Sequence, residues 1–574
     1  MKKEWKLSVP DPQVTGSLVK SLNCHPVTAT VLANRSILSH KAALDFFSNS
    51  FDRMKPPFSL TDSDRAADRI VSAVMQKEPI LIFGDYDADG ITATVVLYDF
   101  LRYVGADVDY YIPHRVTEGY GLSAAQVTNV AVARGIRVII TVDCGMSSHD
   151  AVETANSAGI DVIITDHHHV PEQLPRAFAV VNPNRTDCPS NLTHLAGVGV
   201  AFYLVVCLRK KLRDMSFFTD KPEPNLKDYC DLVAIGTIAD MVPIIGENRI
   251  LTRAGLDMLG FSNRIGLMSL FESSGLDHHF ITAEDVAFRL APRLNAAGRL
   301  DHARMAVELF TCSDSNTARR IAQDLDQLNG NRRTIETKIF DEIVSHLHST
   351  PRLMNQKSLC LYCEAWHEGV LGIVASRLAR RFARPTVLAT LQNGVAKGSG
   401  RSSADFNLYE GLAECADLLE NFGGHAMAAG LTLKPENFLA FKEKFESIVH
   451  DHTTGQTPAA SFPIDCELRF DMITGKLMDE MDRLQPFGIG NEEPLFLARN
   501  IRIRHSQVVG NQHRRLILKQ MNDPTGKSIQ GIHFNAPKNL TDHDYAEVLF
   551  RLRWNRWNGN KTIQLIIEDA CPAE

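Results

Sequence analysis

Three short stretches of the chain bring together side chains that could hold metal ions or move protons. They are Gly84-Asp85-Tyr86-Asp87-Ala88-Asp89-Gly90, Val142-Asp143-Cys144-Gly145 and Thr165-Asp166-His167-His168-His169. Each directly follows an apolar run. If those runs are neighbouring parallel strands, their carboxyl ends share one sheet edge, where ligands bind in open α/β folds. Five carboxylates and three imidazoles would then line one crevice. Left unpaired, so many like charges repel, and each tenfold rise in proton affinity costs ~1.4 kcal/mol. Divalent cations remove that cost. Carboxylate oxygens with imidazole nitrogens suit Mn²⁺ or Mg²⁺ better than structural zinc, for which thiolates are more typical.

Plainer readings compete. A single Asp after a strand is most often a helix N-cap, so Asp89 or Asp143 alone would say little. A His pair at that place is more often polar loop. An EF-hand reading of Asp85-x-Asp87-x-Asp89-Gly90 fails, because Val96 occupies the twelfth loop position, where a bidentate acid is required. Three coincidental caps at three strand ends is the less economical account.

The elements that must position these residues can be read from periodicity. Apolar runs at Pro79-Ile-Leu-Ile-Phe, Asp109-Tyr-Tyr-Ile, Arg137-Val-Ile-Ile-Thr-Val, Asp161-Val-Ile-Ile-Thr and Ala177-Phe-Ala-Val-Val alternate with helical patterns between 91 and 158. Continuous Val/Ile runs separated by helices predict a parallel sheet covered on both faces, hence an open α/β domain. Residues 195–312 are mostly helical in pattern, and a charged helix over Asn316 to Leu347 reads as a solvated connector. Strand and helix patterns resume at Ser358. The strongest linker signal is Thr453-Thr-Gly-Gln-Thr-Pro, and short strands with turns after it suggest a small β-barrel. The expected parts are therefore 1–50, 51–312, 313–350, 351–452 and 461–574.

Composition narrows the class. The 574 residues carry 61 basic and 68 acidic side chains, net −7. Residues 501–574 hold 11 basic and 7 acidic, net +4, which leaves −11 for the remainder. A mildly basic tail on an acidic body is compatible with nucleic acid. No apolar run approaches the ~18 residues of a membrane span, and the start of the chain lacks a secretory apolar segment. Eleven sparse cysteines, an odd number, read as reduced thiols. The expected setting is the cytoplasm.

Asp85-Tyr-Asp-Ala-Asp-Gly-Ile, Val142-Asp-Cys-Gly and Thr165-Asp-His-His resemble the signature motifs of the DHH phosphoesterase superfamily. Gly236-Thr-Ile-Ala-Asp240, Arg293-Leu-Asn-Ala-Ala-Gly-Arg299, His367-Glu-Gly-Val-Leu-Gly, Gly423-Gly-His-Ala-Met-Ala-Ala-Gly430 and Pro486-Phe-Gly-Ile-Gly-Asn-Glu-Glu-Pro494 resemble one branch of it, the RecJ family. The match runs in order from about residue 50 to the end. The resemblance implies a DHH domain, a connector helix, a DHH-associated (DHHA1) α/β domain and an OB-type barrel. It implies 5′→3′ hydrolysis of single-stranded DNA to nucleoside 5′-monophosphates by two Mn²⁺ or Mg²⁺ ions, in repair and recombination. The implied ligands are Asp87, Asp89, Asp143, His167 and Asp240, with Asp143 bridging both ions and His168 beside them. Phe83 stands where many members place a His, which leaves Asp85 as a substitute ligand or the first ion more weakly held.

Phosphate-binding groups are expected across the crevice. Gly398-Ser399-Gly400-Arg401-Ser402 reads as a flexible turn with hydroxyls and a guanidinium fork. Gly424 would let backbone N–H groups approach an anion. By resemblance these join Arg299 in a terminal-phosphate pocket. Arg115 follows the second strand toward the same edge, and His425 is either a pocket residue or a core imidazole. Trp554 and Trp557, with Arg551, Arg553 and Arg556, are candidates for base stacking, and Cys360 and Cys363 carry no metal signal. A single-strand-binding protein and a helicase are the protein partners implied. Rival readings are a phosphodiesterase of short oligonucleotides or cyclic dinucleotides, and a binding scaffold without catalysis.

Overall fold

The computed structural model describes residues 4–403, 406–452, 461–510, 513–521, 523–537, 544–557 and 560–573. Residues 56–240 and 255–457 form one compact unit. Its first sheet consists of β1 (Ile80–Gly84), β2 (Val108–Tyr111), β3 (Val138–Val142), β4 (Asp161–Thr165) and β5 (Ala179–Val181). All pairings are parallel, in the order β2-β1-β3-β4-β5. Consecutive apolar, largely β-branched residues form the inner strands because both faces are covered: β1 and β3 are buried at every position. Order matters more than composition here. From β1 the chain crosses to β2 on one side, then returns to β3 on the other. The carboxyl ends of β1 and β3 therefore flank the topological switch point, the crevice where open sheets bind ligands.

Helices α1 (Ala88–Tyr103), α2 (Gly197–Asp214) and α3 (Cys230–Ala239) pack together over this sheet. After α4 (Ala291–Leu300) comes α5 (Ser315–Ser349), 35 residues and about 52 Å long at 1.5 Å per residue. The expectation of a solvated connector is corrected here. Ala318, Ile321, Ala322, Leu325, Ile339, Phe340, Ile343 and Leu347 are buried along one helix face. Charge on the opposite face masks that stripe in a composition reading.

A second sheet follows, built from β6 (Leu359–Tyr362), β7 (Thr386–Gln392), β8 (Val395–Arg401), β9 (Asn421–Gly424) and β10 (Ala428–Leu433). Its order is β9-β10-β8-β7-β6, with only β6–β7 parallel. Helix α6 (Glu368–Phe382) lies against β7 and β8.

The other compact unit gathers residues 1–55, 241–254 and 458–574. Strands β11 (Phe496–Val509), β12 (His513–Gln520), β13 (Ser528–His533), β14 (Tyr545–Trp557) and β15 (Asn560–Pro572) pair in the order β11-β12-β13-β15-β14. A further β14–β11 ladder closes the barrel in the OB manner. The first fifty residues, read from sequence as a separate segment, share this core. Leu18, Val27, Val31 and Leu32 from the short N-terminal helices pack in one cluster with Phe470, Met478, Phe496 and Phe550. A strand at Glu4–Leu7 also runs parallel to Ser461–Ile464. Apolar faces on short helices are legible in sequence, but what covers them is not.

Candidate metal centre and phosphate pocket

The first acidic stretch folds tightly at the end of β1. The Asp87 carboxylate N-caps α1, accepting from the Asp89 and Gly90 amides at 2.9 and 3.1 Å. Ordinary capping is thus real for Asp87, and it makes the loop rigid. Asp89 serves a different helix, since its oxygens accept from the Gly197 and Val198 amides at the start of α2, at 2.6 and 2.9 Å. The positive end of that helix favours the carboxylate. Asp143, after β3, sits at φ +62°, a left-handed conformation uncommon outside glycine and held where surroundings over-determine it. Its amide bonds to the Thr165 carbonyl at 3.0 Å. Asp240 follows directly after α3.

Close approach depends on two glycines: Gly197, which sequence reasoning missed, and Gly236, which it held only as the first residue of a motif. A Cβ on Gly197 would lie 2.5 Å from Asp143 Oδ1, and one on Gly236 would lie 2.8 Å from Asp89 Oδ1. Gly197 belongs to a Gly-Val-Gly step that shows a need for small residues but not its object.

The side chains converge. His167 Nε2 lies 3.1 Å from Asp143 Oδ1, 3.5 Å from Asp240 Oδ2 and 3.9 Å from Asp89 Oδ2. In this crevice three sets of ligand atoms each fall within 4.8 Å of one another: Asp85 with Asp87 and Asp143, Asp89 with His167 and Asp240, and Asp143 with His167 and His168. Asp143 is common to two of these sets. Asp85 Oδ1, Asp143 Oδ1, His167 Nε2 and Asp240 Oδ2 are all buried without a hydrogen-bond partner. The 3.1 Å approach of His167 to Asp143 is not aligned as a hydrogen bond. A single buried orphan costs about 1–3 kcal/mol, so four aimed into one space fit a bound cation. Phe83, in place of a ligand, is buried in the core and stacked on Tyr111 at 5.8 Å, while Asp85 reaches the ligand group.

Electrostatics agree. Burial, and then the neighbouring Asp87, raises Asp85 well above the ordinary carboxylate range and Asp89 to about 7. Burial and then Asp89 raise Asp143 strongly and Asp240 to about 9. Burial holds His167 down at about 4, a neutral imidazole able to ligate. His168 behaves oppositely. Burial opposes its charge, but Asp166, 2.8 Å from Nδ1, lifts it to about 9. Asp166 also accepts from the amides of Met146, His167 and His168. Tyr120 Oη lies 3.3 Å from both the Asp143 carbonyl and His168 Nδ1. Asn182 and Asn184 donate to the carbonyls of His168 and His167. Of these supporting residues only Asp166 stood inside a recognised motif.

Three arginines gather beside this centre. Arg115 lies over the Tyr86 ring at 4.8 Å. Arg299 donates to the Gly369 carbonyl at 3.2 Å. Arg401 donates to Ser399 Oγ at 3.1 Å and to the Gly400 carbonyl at 2.7 Å. Burial, then repulsion from Arg115 and Arg332, lowers Arg299 to about 9; burial and then Arg115 lower Arg401. Among the described residues none of Arg115, Arg299 and Arg401 forms an ion pair with a carboxylate. An uncompensated guanidinium cluster is suited to an anion. Residues 398–401, expected as a flexible turn, are strand β8 instead. Their glycines serve packing, since a Cβ on Gly398 would press on Leu431 and one on Gly400 on Leu408. Strand alternation then presents Ser399 and Arg401 on one face. Gly424 sits at φ +140° beside the Ala428 carbonyl, and the exposed His425 ring lies 6.5 Å from His169.

Base stacking on Trp554 is not supported. Its Nε1 donates to Asp482 at 3.0 Å, its ring is covered by Lys561 Nζ at 3.9 Å, and Arg551 and Arg553 are paired with Glu568 and Glu493. Trp557's side chain lies outside the described residues.

Three family models match successive parts of the chain. Residues 79–237 match the DHH family N-terminal domain, 355–451 the DHHA1 domain and 464–569 the RecJ OB domain. The single-stranded-DNA-specific exonuclease RecJ of Bacillus subtilis (strain 168) is 36% identical over 576 residues, covering 100% of this chain and 71% of that protein. The protein of the same name from Salmonella typhimurium is 37% identical over 588 residues, covering 100% of both. The chain belongs to the RecJ family. Crystal structures of RecJ from Thermus thermophilus in complex with Mn²⁺ and with Mg²⁺ superpose with TM-scores of 0.82 and 0.74. Both are 29% identical, cover 100% of this chain, and are themselves covered to 80% and 79%.

Proposed function

We infer that this RecJ-family chain is a Mn²⁺- or Mg²⁺-dependent exonuclease that hydrolyses single-stranded DNA from the 5′ end. The observation that carries the reading is the set of four orphaned donor atoms at the switch point, with three uncompensated arginines beside it. The RecJ relatives bear the single-stranded-DNA exonuclease name, and the Thermus structures hold either ion.

Asp85, Asp87 and Asp143 would hold one ion; Asp89, His167 and Asp240, with Asp143 shared, the other. When bound, the ions supply Lewis-acid polarisation and an activated water. Asp166 keeps His168 protonated, available to neutralise charge that builds on the phosphoryl oxygens. Arg115, Arg299, Ser399 and Arg401, with Gly424 and His425 at the rim, take the terminal phosphate. Water's oxygen bonds to phosphorus, the P–O3′ bond breaks, and the proton ends on the departing 3′ oxygen. The first nucleotide leaves as a nucleoside 5′-monophosphate. The shortened strand carries a fresh 5′-phosphate and so presents the same end again.

Among the described residues no helix is long and apolar enough to cross a membrane; the reading places the enzyme in the cytoplasm with its DNA. A single-strand-binding protein and a helicase are the partners it proposes. The barrel favours a polymer over a cyclic dinucleotide, and the complete ligand set disfavours a scaffold. The test uses 5′-labelled and 3′-labelled single and double strands with Mn²⁺, Mg²⁺ or chelator. Labelled mononucleotide released first from 5′-labelled single strands, and nothing with chelator, is expected; release from 3′ label first, or equal rates on duplex, overturns the reading.

A further inference from the structure

Helix α4 carries Arg299, and two of its other residues, Asn295 and Gly298, touch the metal-side loop. Asn295 Oδ1 accepts the Ala88 amide at 2.7 Å. Ala88 lies between Asp87 and Asp89, and Asp87 already takes the next two amides of α1, so Asn295 completes the cap from a different helix. One turn on, Gly298 presses against the same loop, where a Cβ would sit 2.5 Å from the Tyr86 carbonyl oxygen. Arg299 follows, anchored to the Gly369 carbonyl at 3.2 Å, and a Cβ on Gly369 would in turn meet the Arg299 carbonyl at 2.1 Å. Asn295, Gly298 and Arg299 stand at i, i+3 and i+4, hence on one helix face within about 6 Å of axial rise. A single helical turn is thus bonded to the loop of Asp85, Asp87 and Asp89 at one end and to the arginine pocket at the other.

We propose that Asn295 is a positioning residue that sets the step length of the exonuclease. It fixes the separation between the centre that cuts and the pocket that holds the terminal phosphate, and so which phosphodiester reaches the centre. The inference rests on the functional reading above. Asn295 touches no reacting atom; it acts through the Ala88 amide. Without its acceptor the loop can shift along α4, and the phosphodiester one nucleotide further in can reach the centre.

The experiment measures the length of the first labelled product from 5′-phosphorylated single strands at saturating Mn²⁺, in wild type, Asn295→Ala, Asn295→Asp and Gly298→Ala. Asn295→Asp keeps an oxygen acceptor in place. Gly298→Ala forces the helix and loop apart at the Tyr86 carbonyl while keeping the Asn295 side chain, and so tests the spacing if Asn295→Ala fails to fold. Wild type and Asn295→Asp are expected to release mononucleotide. Asn295→Ala and Gly298→Ala are expected to release dinucleotide as about a tenth of first products, a share equivalent to ~1.4 kcal/mol. Slower release of mononucleotide alone from both variants would make Asn295 merely structural and overturn the proposal. Failure of the underlying reading is seen separately, in wild type: if it shows no preference for a 5′-phosphate, the pocket does not hold the chain end.

Discussion

Replacing Arg401 with alanine separates recognition of the chain end from hydrolysis itself. Arg401 stands on a regular strand, its guanidinium over Gly372 of α6, where a Cβ would lie 2.8 Å from Nη2. The strand ladder and the Ser399 hydroxyl hold it in one orientation, so removal should leave the fold intact. A terminal phosphate carries about −1.5 to −2 charge near pH 7, whereas an internal diester carries one. A charge-assisted hydrogen bond contributes about 1.5–3 kcal/mol. At ~1.4 kcal/mol per tenfold, losing one such bond should slow 5′-phosphorylated substrates by about ten- to a hundredfold. Substrates ending in a 5′-hydroxyl lose only a longer-range attraction and should slow by less than about threefold. The assay is single-turnover digestion of matched oligonucleotides with either 5′ end, wild type against variant. An unchanged ratio between the two ends would place the terminal-phosphate pocket elsewhere and refute the account of polarity.

Gly197→Ala should reduce turnover by about a hundredfold, the cost of ~1 Å misplacement of a reacting group, because the new methyl would occupy the space of Asp143 Oδ1; near-wild-type turnover with Mn²⁺ would show that the approach is dispensable. In chelator, the folded protein holds protons on Asp89, Asp240 and His168 that the unfolded chain has already released, because their folded values of about 7, 9 and 9 exceed the ordinary ones. Its melting temperature should therefore fall from pH 7 to pH 9, more steeply than that of Asp240→Asn, and Mn²⁺ should flatten the slope by taking the ionised carboxylates; a metal-free melting temperature that rises over that window contradicts the assignment. Charge reversal of the exposed barrel residues Arg504 and Arg515 should weaken binding of long single strands more than short ones and reduce the salt dependence by about one counterion per contact. Filter binding at several salt concentrations checks this, and equal loss at all lengths would exclude the barrel from the DNA path. Point substitutions are the right tool, because deleting the barrel would expose Leu18, Val27, Val31 and Leu32 of the N-terminal helices.

Much of the local structure was written in residue order. The runs Ile80–Gly84, Val138–Val142 and Asp161–Thr165 announce buried parallel strands, and the acids and imidazoles directly after them announce a shared edge. Domain order and the ligand candidates Asp85, Asp87, Asp89, Asp143, His167 and Asp240 follow from the same motifs. These features are local, because a side chain's periodicity and its distance from a strand end are set by covalent geometry. Strand order was decided only in three dimensions, and it puts the switch point between β1 and β3. So were Gly197 and Gly236, whose missing side chains matter only for what stands opposite them. Residues 398–401 carry the composition of a turn, yet Leu408 and Leu431 pack against their glycines in a strand. Trp554 has the character of a stacking platform until Asp482 and Lys561 occupy its edge and face. Sequence alone determines which surfaces this chain can make; which surfaces meet depends on long-range packing, and no local pattern encodes the partner that fills a given space.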